Sequence, residues 1–190
     1  MEKIDKFAIG LTGMPACGKS TATKILQRYN IPSFKMSDVI LDEIVKRDIE
    51  TTPENYENLA VELRKNYGNE VIAKRILNKI EASNEYKVCI DGIRNLSELE
   101  LLRNKHKGFL LVAVHSPPKI RYERTKNNPK SPIKTWEQFE WRDKKNLELG
   151  VGDVISLADY MITNNRNSFD DLEKGIKELI SYINENCGQK

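Results

Sequence analysis

Lys19 and Ser20 directly follow a glycine, and Gly13 lies five positions before that glycine. Gly13-Met14-Pro15-Ala16-Cys17-Gly18-Lys19-Ser20 therefore meets the spacing G-x-x-x-x-G-K-[ST]. Glycines at 13 and 18 allow a chain to fold closely around phosphate oxygens. The backbone N–H groups of such a loop point at one place, at the positive end of the helix that follows. The expected nucleotide-binding segment is Gly13, Met14, Pro15, Ala16, Cys17, Gly18, Lys19, Ser20 and Thr21. Lys19 would reach the β- and γ-phosphates, and the Ser20 hydroxyl would face Mg²⁺.

A phosphate loop needs an acid for the metal shell. Tyr86-Lys87-Val88-Cys89-Ile90-Asp91-Gly92 reads as a strand that ends in one. Asp91 thus falls at the carboxyl end of a strand, where open α/β sheets bind ligands. The expected metal residues are Ser20 and Asp91. Lys35-Met36-Ser37-Asp38 closes another apolar run. Ser37 reads as a substrate contact or as the N-cap of the next helix. Asp38 reads as a first-turn helix acid, or as the group that orients an acceptor and takes its proton.

Guanidinium grips phosphate with two donors, so arginines are the candidate clamps for anions. Arg64, Arg75 and Arg94 are expected at the acceptor. Arg124 and Arg142 flank a polar loop and are expected near the transferring group; Arg121 flanks the same loop with less to single it out. Lys19, Asp38, Arg94, Arg124 and Arg142 form the expected catalytic set. His106 and His115 have no metal-like spacing and read as surface or strand-end residues. Trp136 and Trp141 are too far apart in register to share a helix face, which leaves one of them to cover the core or the base of the loop.

Elements that could position these groups alternate along the chain. Apolar runs predict strands at Phe7–Leu11, Ile31–Met36, Lys87–Ile90, Phe109–His115 and Tyr160–Thr163. Helical stretches are predicted near 20–29, 38–47, 54–66, 69–82, 96–105, 118–127, 136–149 and 168–185. Thr52 before Pro53 suits a helix start, and Ser168 with Asp170 and Asp171 suits another. The alternation predicts an α/β fold with a mostly parallel sheet covered on both faces. About three helices form an insertion at about 37–82, and the polar, proline-bearing segment 126–135 reads as a short lid or a plain connector.

The chain has 190 residues, enough for a single domain with a full core, and a net charge of +3. That charge is too small to argue for nucleic acid as a partner. No run is long enough to be a membrane span, and the N-terminus has no signal-like apolar region. Cys17, Cys89 and Cys187 show no C-x-x-C spacing, so a disulfide framework or zinc site is not expected and the cytoplasm is. Cys17 reads as a small residue at a variable loop position.

Together these segments resemble a P-loop kinase of the adenylate-kinase-like and dephospho-coenzyme-A-kinase-like group, and most closely an archaeal family of adenylate-kinase-related proteins. The resemblance rests on Gly13–Ser20, Met36-Ser37-Asp38-Val39, Glu62-Leu63-Arg64, Ala73-Lys74-Arg75, Asp91-Gly92-Ile93-Arg94, Val114-His115-Ser116-Pro117-Pro118-Lys119, Arg121–Arg124, Trp136–Asp143 and Ala158–Asn164. It implies a three-layer fold with a five-stranded parallel sheet, an acceptor-binding insertion, and adenine near Arg124 and the loop holding Asn164 and Asn165. Arg94 is three residues after Asp91, where such kinases usually have four, and Asn128 stands where a lid arginine is expected. The implied activity is ATP- and Mg²⁺-dependent phosphoryl transfer to a nucleoside monophosphate. The alternatives are a dephospho-coenzyme-A-kinase-like hydroxyl kinase and a non-catalytic nucleotide-binding switch.

Overall fold

The computed structural model describes residues 4–165 and 169–186. Five strands form one all-parallel sheet in the order β2-β3-β1-β4-β5. They are β1 (Ile4–Thr12), β2 (Ser33–Lys35), β3 (Lys87–Asp91), β4 (His106–His115) and β5 (Tyr160–Thr163). The helices are α1 (Lys19–Arg28), α2 (Met36–Lys46), α3 (Pro53–Tyr67), α4 (Val71–Glu81), α5 (Leu96–Lys105), α6 (Pro118–Lys126), α7 (Trp136–Glu148), α8 (Val151–Ser156) and α9 (Phe169–Asn186). The parallel sheet covered on both faces thus matches the reading from the sequence.

Two apolar layers sandwich the sheet. On one face Ile25, Leu26, Leu172, Ile176 and Leu179 bring α1 and α9 against Ile9, Leu11 and Val112. On the other, Ile40, Ile44, Leu63, Ile76 and Leu99 bring α2 to α5 against Ala8, Val88, Ile90 and Leu111. The core strands are buried on both faces, which is why they read as continuous apolar runs. Register then aligns their carboxyl ends: Lys35 lies beside Asp91, and Asp91 beside Leu11.

Several boundaries differ from the expected ones. The second strand stops at Lys35, and Met36 already begins α2. Ser37 is therefore inside the helix, and Lys35 occupies the cap position without a side-chain bond. Thr52 does cap α3, accepting from the Asn55 amide at 3.1 Å. β4 begins directly at His106, whose ring is buried rather than on the surface; Nδ1 lies 2.9 Å from the Leu102 carbonyl oxygen, and burial lowers its pKa. The six-residue α8 has no counterpart among the predicted helices. Ser168 and Cys187 lie outside the described residues.

Candidate active site

The segment between β1 and α1 wraps into a tight loop. Gly13 and Gly18 have φ of 145° and 113°, and Ala16 has φ of 64°. A Cβ at Gly13 would stand 2.4 Å from the Val114 carbonyl oxygen, and one at Gly18 would stand 2.4 Å from Asn164 Nδ2. Neighbouring chain therefore excludes side chains at both glycines. Lys19 Nζ donates to the Gly13 carbonyl at 2.5 Å and to the Met14 carbonyl at 3.4 Å, which holds the ammonium across the loop. Cys17 is buried and packs into the apolar layer of α1 and α9.

The loop is braced from outside by residues far along the chain. Arg121 is almost fully buried and donates to the Pro15 carbonyl at 3.2 Å and the Ser116 carbonyl at 3.0 Å. Arg124 Nη1 donates to the Ala16 and Cys17 carbonyls, both at 3.3 Å, and Nη2 donates to Asn164 Oδ1 at 3.0 Å. Asn164 is buried, and its Nδ2 donates to the Cys17 carbonyl at 2.8 Å. Arg124 and Asn164 thus engage carbonyls of the phosphate loop with their polar atoms. No local pattern around residue 124 or 164 announces these partners. Asn165 lies apart, in a cleft with Thr163 and Lys174.

Asp91 ends β3 beside this loop. Only 9% of the residue is exposed, and Oδ1 has no hydrogen-bond partner among the described residues. Burial raises its pKa, opposed by the positive charges of Lys19, Lys35 and Arg94. A buried, unpartnered carboxylate oxygen facing cations fits the outer shell of Mg²⁺, which takes one or two protein oxygens and completes its octahedron with water and phosphate oxygens. Ser20 is exposed at the first turn of α1, where its hydroxyl would be free to meet such an ion.

Past Gly92 lies a narrow pocket lined by Met36, Ser37, Tyr56, Arg64, Gly92 and Arg94, with Ile40, Ala60 and Ile72 as its apolar wall. Tyr56 closes α3 onto α2 by donating to the Ser37 carbonyl at 2.7 Å. Its hydroxyl lies within the fields of Arg94, Asp38 and Arg64, and burial raises its pKa. Ser37, Arg64 and Arg94 are thus brought together, while Asp38 is not among the lining residues and acts on Tyr56 through its charge. Arg75 is not among the lining residues. It is held two turns away along α2, donating to Glu43 Oε2 at 2.7 Å and lying 5.8 Å from the Tyr67 ring centre. Sequence spacing could not separate Arg64 from Arg75, because Glu43, the partner that takes Arg75 away, comes from another helix.

The polar segment between Lys126 and Trp136 joins α6 to α7. Trp136 stacks at its base against Tyr122 and Phe139, with centroids 5.2 Å from each. Arg142 donates to Thr125 Oγ1 at 3.2 Å and faces a cleft of about 810 Å³ between this segment and α3, where Trp141 and Ile133 stand opposite Glu54 and Glu57. Tyr56, Glu98 and Asp143 are participants that sequence reading missed. Only Glu98 left a signal, three residues after the helix cap Asn95.

A family model described as an AAA domain matches residues 9–145. The UPF0200 protein of Methanocaldococcus jannaschii is 41% identical over 181 residues, covering 94% of this chain and 91% of that protein. Among solved structures, a shikimate kinase from Bacteroides thetaiotaomicron superposes with a TM-score of 0.62 at 19% identity, covering 93% of this chain and 98% of that one. A dephospho-CoA kinase from Campylobacter jejuni gives 0.53 at 18% identity, with coverage of 95% and 98%. At these identities the structural likeness establishes a P-loop kinase-like fold.

Proposed function

We propose, for a chain that belongs to the UPF0200 family and has a P-loop kinase-like fold, that its residues act as one adenylate-kinase-related domain in the cytoplasm and transfer the γ-phosphoryl group of ATP to a nucleoside monophosphate. The observation that carries this reading is the placement of Arg64 and Arg94 in one pocket, immediately past Asp91 and the phosphate loop. Two guanidinium groups suit an anionic acceptor.

Each residue then has a task. Loop amides and Lys19 hold the donor phosphates. Ser20 and Asp91 would hold Mg²⁺, which when bound offsets phosphate charge. Arg64 and Arg94 hold the acceptor anion in line with the donor, and Arg142 faces the cleft above them. Arg121, Arg124 and Asn164 keep the loop in shape. A phosphate acceptor is already a nucleophile at neutral pH and needs no base.

A hydroxyl acceptor is the second reading. It is favoured by Asp38, whose exposed carboxylate stands near Asp91 and Tyr56 and could take the proton of an attacking hydroxyl.

The test is to incubate purified protein with Mg-ATP and AMP, CMP, GMP, UMP or dephospho-coenzyme A, and to separate the products. Formation of a nucleoside diphosphate supports the first reading. Transfer to dephospho-coenzyme A alone supports the second. Phosphate release with no acceptor product refutes both.

A further inference from the structure

Glu98 is fully buried, with no exposed surface at all. A carboxylate is rarely placed so unless it is paired and hydrogen-bonded. Its two oxygens have different partners. Oε1 accepts from Arg64 Nη2 at 3.1 Å, and Oε2 accepts from the backbone N–H of Arg94 at 2.9 Å.

The local origin of this arrangement is a helix cap. Asn95 caps α5, its Oδ1 accepting from the Glu98 amide at 2.9 Å. In an ordinary capping box the acid at this position reaches back to the N–H of the cap residue. Here it reaches one residue further, to Arg94. That leaves the other oxygen facing α3, where Arg64 meets it from 34 positions away. Helix capping explains the first bond. It does not explain full burial, nor a guanidinium imported from the insertion.

We propose that Glu98 is a positioning residue of the acceptor site, resting on the kinase reading above. One oxygen fixes the Arg64 guanidinium and the other fixes the main chain of Arg94. The two groups that meet the acceptor anion are therefore assembled before it arrives. Glu98 also offsets the charge of Arg64, so the buried guanidinium is stable in the empty pocket. The buried Arg64 Nε has no hydrogen-bond partner among the described residues, so one of its donors is uncommitted. The Arg94 side chain is exposed, and its guanidinium makes no side-chain bond among the described residues.

Calorimetric titration of protein saturated with the non-hydrolysable analogue AMPPNP tests this. AMP, CMP, GMP and UMP are the probes, and the affinity for AMPPNP is measured on the same samples. Glu98→Gln keeps size and one acceptor oxygen but loses the charge. It should weaken monophosphate binding by about tenfold or more, the scale of a charge-assisted hydrogen bond, and leave AMPPNP affinity unchanged. Glu98→Asp keeps the charge but is too short to span both partners, and should weaken the same binding by less; it carries the test if Glu98→Gln does not fold. Monophosphate affinity equal to the parent in either folded variant overturns the proposal. An equal loss of AMPPNP affinity also overturns it, because the effect would then be general. A parent that binds AMPPNP but none of the four monophosphates overturns the nucleoside monophosphate reading itself.

Discussion

Arg121 and Asp143 form a two-pronged ion pair, with Nη1 to Oδ1 at 2.9 Å and Nη2 to Oδ2 at 2.6 Å. The arginine is on α6, the aspartate is on α7, and the polar connecting segment lies between them. Because Arg121 also holds the Pro15 carbonyl, the pair ties α7 to the phosphate loop. Both partners are largely shielded, with side-chain exposures of 4% and 14%.

Removal of one partner from a buried pair leaves an uncompensated charge. Asp143→Ala should lower unfolding free energy by about 3–5 kcal/mol. Urea denaturation measures it, and a loss below about 1 kcal/mol would mean that water already screens the pair. Affinity for AMPPNP should fall in the same variant, since Arg121 would lose the partner that aims it at Pro15.

Lys19→Ala removes a cation that now bridges the loop carbonyls and would face the donor phosphates. Turnover should drop by roughly a hundredfold or more, the scale for one preorganised charge-stabilising group. The melting temperature should change little. Parent-like turnover in the folded variant would remove the phosphate loop from the mechanism.

Asp91→Asn separates stability from metal use. Burial raises the Asp91 pKa in the folded chain, so in the window above its ordinary value of 3.8 the native state binds more protons than the unfolded state. Its contribution to stability therefore falls as pH rises through that window. Without nucleotide, the variant should melt at or above the parent's temperature at neutral pH, and its advantage should shrink on acidification. Activity should fall and demand more Mg²⁺. An unchanged Mg²⁺ dependence would reduce Asp91 to a strand-end residue.

Asp38→Asn and Arg94→Ala divide the two acceptor readings. A positioned base contributes about 10²–10⁴-fold for a hydroxyl and is not needed for a phosphate. With a monophosphate acceptor, Arg94→Ala should raise the acceptor KM strongly, and Asp38→Asn should leave turnover within a few-fold of the parent. Collapse of turnover in Asp38→Asn, with Arg94→Ala near normal, would transfer the assignment to a hydroxyl substrate.

Much of this was legible in the chain because the signals are local. The phosphate loop is contiguous, Asp91 follows an apolar run, and Thr52 sits directly before Pro53. Other features depend on partners that no window contains. Arg64 and Arg75 look alike until Glu98 and Glu43 are placed beside them. Glu98 resembles any acid in an amphipathic helix, and its burial becomes visible only when the distant partner Arg64 on α3 is placed beside it. The apolar run places the fourth strand from Phe109, yet β4 already begins at His106, with Gly108 paired against Phe7. The early start of α2 was missed because Met36 fits an apolar strand as well as a helix.

The braces of the phosphate loop have a consequence for biosynthesis. Pro15, Ala16 and Cys17 leave the ribosome well before the groups that hold their carbonyls, which are 106, 108 and 147 residues further along. Contacts of such span form late in folding, after the intervening chain has been ordered. A nascent chain thus carries the motif well before it carries the site. A fragment ending at residue 120 should show this: a fluorescent ATP analogue should bind the whole chain and not the fragment, and equal binding by both would mean that the loop takes shape without its distant supports.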